Sequence, residues 1–369
     1  MDEWEELSRL ARAEKPPSGR ASSGRGASSG RASSGRVSMA MVADRAGVSG
    51  QTVSRVVNGS PRVDPATRAR VEKAMAELGY RPHRAARALR TGRTQTIGLV
   101  VTTLATVGNS RMLQATAEAA EERGYALLLV TAGGTVSDAF ERLRDQGVDG
   151  AIVLNEASAL TTAEDRPEGL RLVVVDAPQE TGLRVVHSDH AGGAAAATSR
   201  LLSLGHQNVW HLGGPADSFA AAERERGWRE RLRAEGSTPQ PLVRGDWSAE
   251  SGYAAAGELL EATAVFSAND QMALGLIRGL VENGHSVPDQ VSVIGFDDVP
   301  DAANYRPPLT TVRQDFTALA VAAVDALVAD IEGAEIEGAE TGDAASALDG
   351  DTQTIVPTLL IERASAIRV

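Results

Sequence analysis

The chain has 369 residues, 42% of them hydrophobic and 23% charged, which fits two or three soluble globular domains and excludes a fibrous or largely disordered protein. It has no cysteine, so a disulfide framework, a thiol nucleophile and Cys-ligated zinc are excluded; its only lysines are Lys15 and Lys73, and no G-x-x-x-x-G-K phosphate loop occurs. The net charge of -12 hides a division: residues 1–93 carry 18 Lys and Arg against 9 Asp and Glu, and residues 94–369 carry 19 against 40, the layout expected when only the front end meets a polyanion.

No apolar run reaches the roughly 18 to 20 residues of a spanning helix, and the opening MDEWEELSRL is acidic and lacks the apolar core of a secretion signal. A cytoplasmic protein with no membrane partner is expected. Residues 1–36 read as a flexible basic tail, because PPSGRASSGRGASSGRASSGR has no apolar periodicity with which to offset ordering entropy. Its G-x-S-x-G match at Gly26–Gly30 lacks the strand before and the helix after that a hydrolase elbow requires.

Residues 37–81 read as three short helices. Met39, Val42, Ala43 and Ala46 recur at helical spacing and Gly47 ends that helix, with Ser49 placed to cap the next. In GQTVSRVV (50–57), Val53 and Val57 face inward, while Gln51, Thr52 and Arg55 face out. Asp64 then caps, Pro65 takes the first helical position, Val71, Met75 and Leu78 form a buried stripe, and Gly79 closes the helix. Two short helices joined through a Gly-containing turn and braced by a third make a helix-turn-helix. Gln51 and Arg55, four apart on the second helix, can pair bidentately with adenine and guanine in the major groove. Residues 82–94 read as a hinge and linker: PHRAARALRT is too short to be a stable helix alone in water.

From 95 the texture becomes strand-helix alternation. Short apolar runs fall at 97–103, 126–131, 150–155, 172–177, 209–214, 264–270 and 291–298, with helical stretches such as 108–123 and 270–283 between them. This is the pattern of parallel sheets covered by helices on both faces, and about 270 residues of it suggest two similar lobes rather than one large sheet. Segment 332–352 is acidic and low in complexity and reads as a disordered surface insertion within the 95–369 domain.

Ligands of parallel-sheet domains sit beyond the carboxyl ends of strands, where Thr102, Asp176, Asn269 and Asp297 fall. Carboxylates and amides there can hydrogen-bond sugar hydroxyls; Arg224, read at a helix start, adds a forked donor and Trp247 an apolar face for a ring. For Asp270, capping of the following helix is the expected role. Catalysis is not expected: Asp297 and Asp298 are adjacent at a strand end and point apart, and no activated nucleophile is visible. No cofactor is expected either, and His187 with His190 lacks a third metal ligand at useful spacing.

Residues 42–92, with LGHQ (204–207), GDWSAESG (245–252), ANDQMALG (268–275) and PPLTTVRQDF (307–316), resemble in this order the lactose-repressor family of bacterial transcriptional regulators, over about 330 residues. The resemblance implies an all-α helix-turn-helix headpiece followed by an α/β, two-lobed, periplasmic-binding-protein-like domain with two parallel-sheet subdomains. It implies a repressor that binds palindromic operator DNA as a homodimer and is released by a small sugar, with a galactoside as the specific expectation. The alternative within the same fold is a ligand such as a purine acting as corepressor. The DNA contacts it implies are Ser49, Gly50, Gln51, Thr52, Ser54, Arg55, Asn58, Arg62 and Thr67 in the headpiece, and His83, Ala86 and Leu89 in a hinge helix formed on the operator, with Leu89 as the minor-groove wedge. Gly50 stands where a bulkier base-reading residue is expected. The implied effector pocket comprises Thr102, Asp176, His187, Arg224, Trp247, Asn269, Asp297, Gln314 and Phe316, with His187 replacing an aromatic residue. The sequence stops at Val369 without a heptad-patterned tail, which favours a dimer over a tetramer. A secreted sugar carrier would share the two lobes but would need a signal peptide and no headpiece.

Overall fold

The structure, a computed structural model, describes residues 37–57, 59–80, 92–132, 136–154, 169–179, 183–340 and 353–369, with side chains in the helix ending at 340 described as far as 333. These fall into two compact units, one within 37–80 and one within 92–369. The basic tail, the hinge with His83, Ala86 and Leu89, and Asn58 lie outside the described residues.

The first unit is a helix-turn-helix. Helix α1 (Met39–Ala46) is capped by Ser38 and ends on Gly47, whose φ of 64° is left-handed and therefore suits glycine. Helix α2 (Gly50–Val57) starts from Ser49, whose Oγ accepts from the Thr52 amide at 3.2 Å. Helix α3 (Pro65–Leu78) has Asp64 as its cap and Pro65 in its first turn, and ends on left-handed Gly79. The core is Val42, Ala43, Val53, Val56, Val63, Val71, Ala74 and Tyr80. This corrects the inward stripes in two helices. In α2 Val56 is buried and Val57 only half-buried; in α3 Ala74 replaces Met75 and Leu78, which pack at the edge. In a unit of three short helices the two neighbours of each helix approach it from different sides, and the i,i+3 position (Val53 and Val56, Val71 and Ala74) faces the core.

The second unit has two lobes. In the first, β1 (Thr96–Val101), β2 (Ala126–Thr131), β3 (Gly150–Leu154), β4 (Arg171–Val175), β5 (Arg184–Ser188) and β11 (Gln353–Val356) form an all-parallel sheet in the order β11-β5-β4-β3-β1-β2. In the second, β6 (Trp210–Gly213), β7 (Val243–Arg244), β8 (Ala264–Ser267), β9 (Ser292–Asp297), β10 (Thr310–Arg313) and β12 (Leu359–Ile361) take the order β12-β10-β9-β8-β6-β7, with only β12 antiparallel. The chain passes between lobes after β5, after β10 and after β11, so each lobe is built from separated stretches of sequence. Both sheets carry a buried apolar cluster on each face, as strands buried on both sides require.

Helices α4 (Val107–Glu122) and α5 (Val136–Asp145) cover the first sheet, and α6 (His190–Ser203), α7 (Phe219–Ala234), α8 (Ala249–Ala255) and α9 (Asp270–Glu282) the second. Helix α10 (Phe316–Glu340) returns to the first lobe and packs on α4. It continues through 332–340, so the acidic stretch begins as helix instead of as an unstructured insertion; 341–352 lie outside the described residues. Strands β5, β7, β10, β11 and β12 were not expected, because they are short and because polar residues in β5 (His187), β10 (Thr310, Thr311) and β11 (Gln353) break the apolar run.

His211 illustrates how closely the second lobe is packed. Its ring is fully buried, stacks on Phe266 at 4.8 Å between centroids, and uses Nδ1 on the Phe266 carbonyl at 2.9 Å. Burial disfavours the imidazolium and lowers its pKa to about 4. Because the folded value lies below the ordinary 6.5, the unfolded chain takes up the proton first, and the stability that neutral His211 supplies is present above about pH 6.5 and is lost as pH falls toward 4. By pH 5 the loss is about 2 kcal/mol. Urea unfolding of wild type and His211→Phe at pH 7.5 and 5 checks this: wild type should lose about 2 kcal/mol more than the variant, and parallel losses would refute it.

Candidate functional site

Between the lobes lies a cavity of about 300 Å³. The carboxyl ends of the strands supply much of it, as expected for this class of sheet. Thr102, Thr103, the α4 cap Thr106 and the α4 residues Gly108, Asn109 and Met112 form one wall; Pro215, Asp217, Ser218, Ala220 and Arg224 form the opposite one. Of the nine residues in the expected effector pocket, Thr102, Asp176, Arg224, Trp247, Asn269, Asp297, Gln314 and Phe316 line this cavity. His187 does not. It is buried behind the wall, with Nδ1 on the Ser188 carbonyl at 2.8 Å, Nε2 against the Gln353 amide at 2.6 Å, and Phe219 packed edge-on at 5.6 Å.

The polar groups form a connected line. Asp176, just beyond β4, accepts from His190 Nε2 at 2.8 Å, and His190 Nδ1 accepts from Arg224 Nε at 3.3 Å. Arg224 also bonds the Ala268 carbonyl and stands 3.5 Å from the Asp297 carboxylate, which accepts from Gln314 Nε2 at 2.6 Å. Its guanidinium lies over Phe296 at 3.9 Å and near the Trp247 ring at 5.4 Å. Arg224 sits in the second turn of α7, one turn later than expected, and that turn carries it inward rather than along the cleft rim.

Burial and charge pull against each other here. Burial raises the Asp176 carboxyl, but His190 and Arg224 together hold it below the usual range. Asp297 is raised, because burial outweighs the Arg224 charge and the Gln314 hydrogen bond. Arg224 is lowered by its own burial, against the pull of Asp297 and Asp176.

Asn269, not Asp270, caps α9: its Oδ1 accepts from the Met272 amide at 2.9 Å while its Nδ2 donates to the Trp247 carbonyl at 3.0 Å. Asp270 is fully buried one residue later and accepts from the Val299 amide at 2.9 Å and Thr311 Oγ1 at 2.5 Å. Burial and the nearby Asp297 push its carboxyl well up. Asp298 turns away from the cavity to Arg313 and Arg363 at 2.7 and 2.6 Å.

Asp176, Asp297 and Trp247 hold positive φ of 58°, 112° and 75°, a costly backbone for residues with a Cβ. Trp247 also presses on Gly214, where a Cβ would lie 2.4 Å from the indole. All three positive-φ residues line the one cleft. Two further contacts join the lobes beside it, the Val107 amide to Gln271 Oε1 at 3.0 Å and Arg111 Nη1 to the Asp298 carbonyl at 3.3 Å. Thr106 and Asn109 were missed, although Thr106 is a cap right after a strand; Asn109 then donates to the Thr103 carbonyl at 2.9 Å. His190 was considered only as half of a metal pair, because nothing local reveals that Asp176 and Arg224 will converge on it.

On the headpiece, Ser49, Gly50, Gln51 and Arg55 are exposed and Thr52 and Ser54 half-buried on α2. Ser49 Oγ and Thr52 Oγ1 bond each other at 2.9 Å. Arg62 is exposed in the turn before α3, and Thr67 lies in its first turn with its amide bonded to Asp64 at 3.0 Å.

Residues 38–83 match the model of bacterial regulatory proteins, lacI family, and residues 198–365 that of the periplasmic binding protein-like domain. The lactose operon repressor of Escherichia coli (strain K12) is 36% identical over 80% of this chain and 85% of its own length. Among solved structures, the lac repressor dimer bound to operator and the anti-inducer ONPF is similar with a TM-score of 0.77 at 32% identity, covering 90% of this chain and 100% of that one. A complex of the transcriptional regulator CelR with cellobiose is similar with a TM-score of 0.63 at 33% identity, covering 89% of this chain and 100% of that one. With an α2 that exposes Gln and Arg and a strained cleft between two lobes, the chain belongs to the lacI family of bacterial regulatory proteins, as a ligand-responsive transcriptional repressor and not an enzyme.

Proposed function

We propose that this repressor binds a palindromic operator as a homodimer in the cytoplasm and is released from it by a small sugar, a galactoside, held in the cleft between the lobes. The observation that carries this reading is the cavity's composition: a buried guanidinium, three carboxylates (Asp176, Asp217, Asp297) and three amides (Asn109, Asn269, Gln314), together with the rings of Trp247 and Phe316. Forked and anionic groups suit vicinal hydroxyls, and aromatic faces suit the apolar face of a pyranose. The solved relatives whose names include a cellobiose or an operator support the sugar and the DNA.

Release follows from linkage. A sugar shifts the lobes only by the difference in its affinity for their two arrangements, and operator binding must weaken the sugar by the same factor. Two-fold symmetry of the dimer then matches the two halves of the operator. A gel-shift titration on the protein's own upstream DNA tests the reading, with galactosides, cellobiose and purine bases as competitors. A galactoside should release the DNA; release by cellobiose alone would move the sugar class, and a purine that tightens binding would replace induction by corepression.

The headpiece is tested separately. Gln51→Ala or Arg55→Ala should cost about 1 to 3 kcal/mol at the operator and leave sugar binding unchanged. Equal losses on operator and random DNA would mean that the two residues touch only phosphate.

A further inference from the structure

We propose that His190 is a positioning residue of the effector cleft: in its neutral form, protonated on Nε2, it holds Asp176 of one lobe to Arg224 of the other, and its protonation breaks that link at Arg224. The proposal rests on the reading of the cleft as the effector site. Its starting point is hydrogen-bond arithmetic. A guanidinium has five N–H donors and no acceptor, so the Arg224 Nε bond at 3.3 Å requires a bare Nδ1 on His190. The one remaining ring proton is then on Nε2, pointed at Asp176 Oδ1 2.8 Å away. A second proton on Nδ1 would set N–H against N–H.

The surroundings leave His190 no other role. Its side chain is 1% exposed and wedged between Phe219 and Phe296 at 6.4 and 6.0 Å between ring centroids, so it cannot rotate to find new partners. The charged and titratable groups facing it are Asp176 from the end of β4, Arg224 and Glu223 from α7, His187 from β5 and Asp297 from β9. Glu223 is already engaged, its carboxyl held low chiefly by Arg226. His187 is engaged elsewhere, its Nδ1 at the Ser188 carbonyl and its Nε2 at the Gln353 amide. That leaves Asp176 and Arg224 as the groups whose placement depends on His190, and both line the cavity.

The consequence is a cleft whose affinity depends on pH. Neutral His190 presents Arg224 and Asp176 in register across the two lobes; the protonated ring keeps Asp176 and releases Arg224. Effector affinity should therefore fall with acidification, by up to about tenfold for each pH unit where the neutral ring alone supports binding.

The test uses the full chain in three forms: wild type, His190→Leu and His190→Gln. Long-range proton-nitrogen correlation of histidine-labelled, sugar-free protein at pH 8 should show one neutral Nε2–H ring that is absent from both variants; a Nδ1–H ring at this position would overturn the proposal. Binding of methyl β-galactoside from pH 8 to 5.5 should weaken with acidification in wild type and be at least tenfold weaker in His190→Leu at pH 8. Glutamine can donate to Asp176 and accept from Arg224 without titrating, so His190→Gln should restore most of the pH 8 affinity and flatten the profile. An unchanged pH profile in His190→Gln, or wild-type affinity in a folded His190→Leu, would overturn the proposal. If methyl β-galactoside binds none of the three, the galactoside reading fails, and the sugar-free tautomer still decides the role of His190.

Discussion

Replacing Arg224 with alanine is expected to abolish the effector response while leaving operator binding intact. The guanidinium is 4% exposed, carries the only positive charge lining the described cavity, and faces Asp297 at 3.5 Å as well as His190 and the Ala268 carbonyl. Removing it leaves the buried Asp297 carboxylate without its countercharge, and breaking a buried pair from one side typically costs about 3 to 5 kcal/mol. Asp297, already raised by burial, then loses the charge that opposes the rise and takes up a proton more readily. A neutral, slack cleft cannot discriminate the two lobe arrangements, so effector affinity should drop by more than about 100-fold, while Gln51 and Arg55, in the separate headpiece unit, remain intact. Gel shifts of Arg224→Ala with the compound that releases wild type check the prediction. Release at the wild-type concentration would place the effector site elsewhere.

Gly227→Ala should be strongly destabilising although it lies outside the cleft. A Cβ at this position of α7 would lie 2.1 Å from the Ala191 carbonyl oxygen on α6, a backbone atom that cannot swing aside. The two helices would have to separate, at a cost of about 3 kcal/mol for overpacking against a gain of roughly 1 kcal/mol in helix propensity. These are the helices that carry His190 and Arg224, so a shift that spares folding should still weaken the effector. Gly333 is the contrast: it lies within α10 with nothing within 4 Å of its would-be Cβ, and Gly333→Ala should stabilise the protein by about 0.5 to 1 kcal/mol. Urea midpoints of the two variants decide the matter. A Gly227→Ala protein as stable as Gly333→Ala would show that the α6–α7 crossing is looser than its geometry.

The sequence by itself determined what depends on local order. Helix caps at Ser49 and Asp64, left-handed glycines at Gly47 and Gly79, and buried runs such as LVVVDA all act within a few residues, and each appears where its chemistry places it. Strand ends, and with them most of the residues lining the cleft, follow from the same local signal, because a parallel sheet presents all its carboxyl ends on one side. Tertiary structure alone decided the rest. Whether Val56 or Val57 faces the headpiece core depends on which helix arrives from the other side. His187, expected to line the cavity, packs instead against Phe219, distant in sequence and in the other lobe, and against Gln353. Asn269 took the cap expected of Asp270 while still lining the cavity, because Thr311 and the Val299 amide, on other elements, were there to satisfy the buried Asp270 carboxylate. His190 acquires its place only when Asp176 and Arg224 meet on its two nitrogens from separate lobes. A buried polar group is defined by the partners that satisfy it, and in a chain that passes between lobes three times those partners are brought together only by folding.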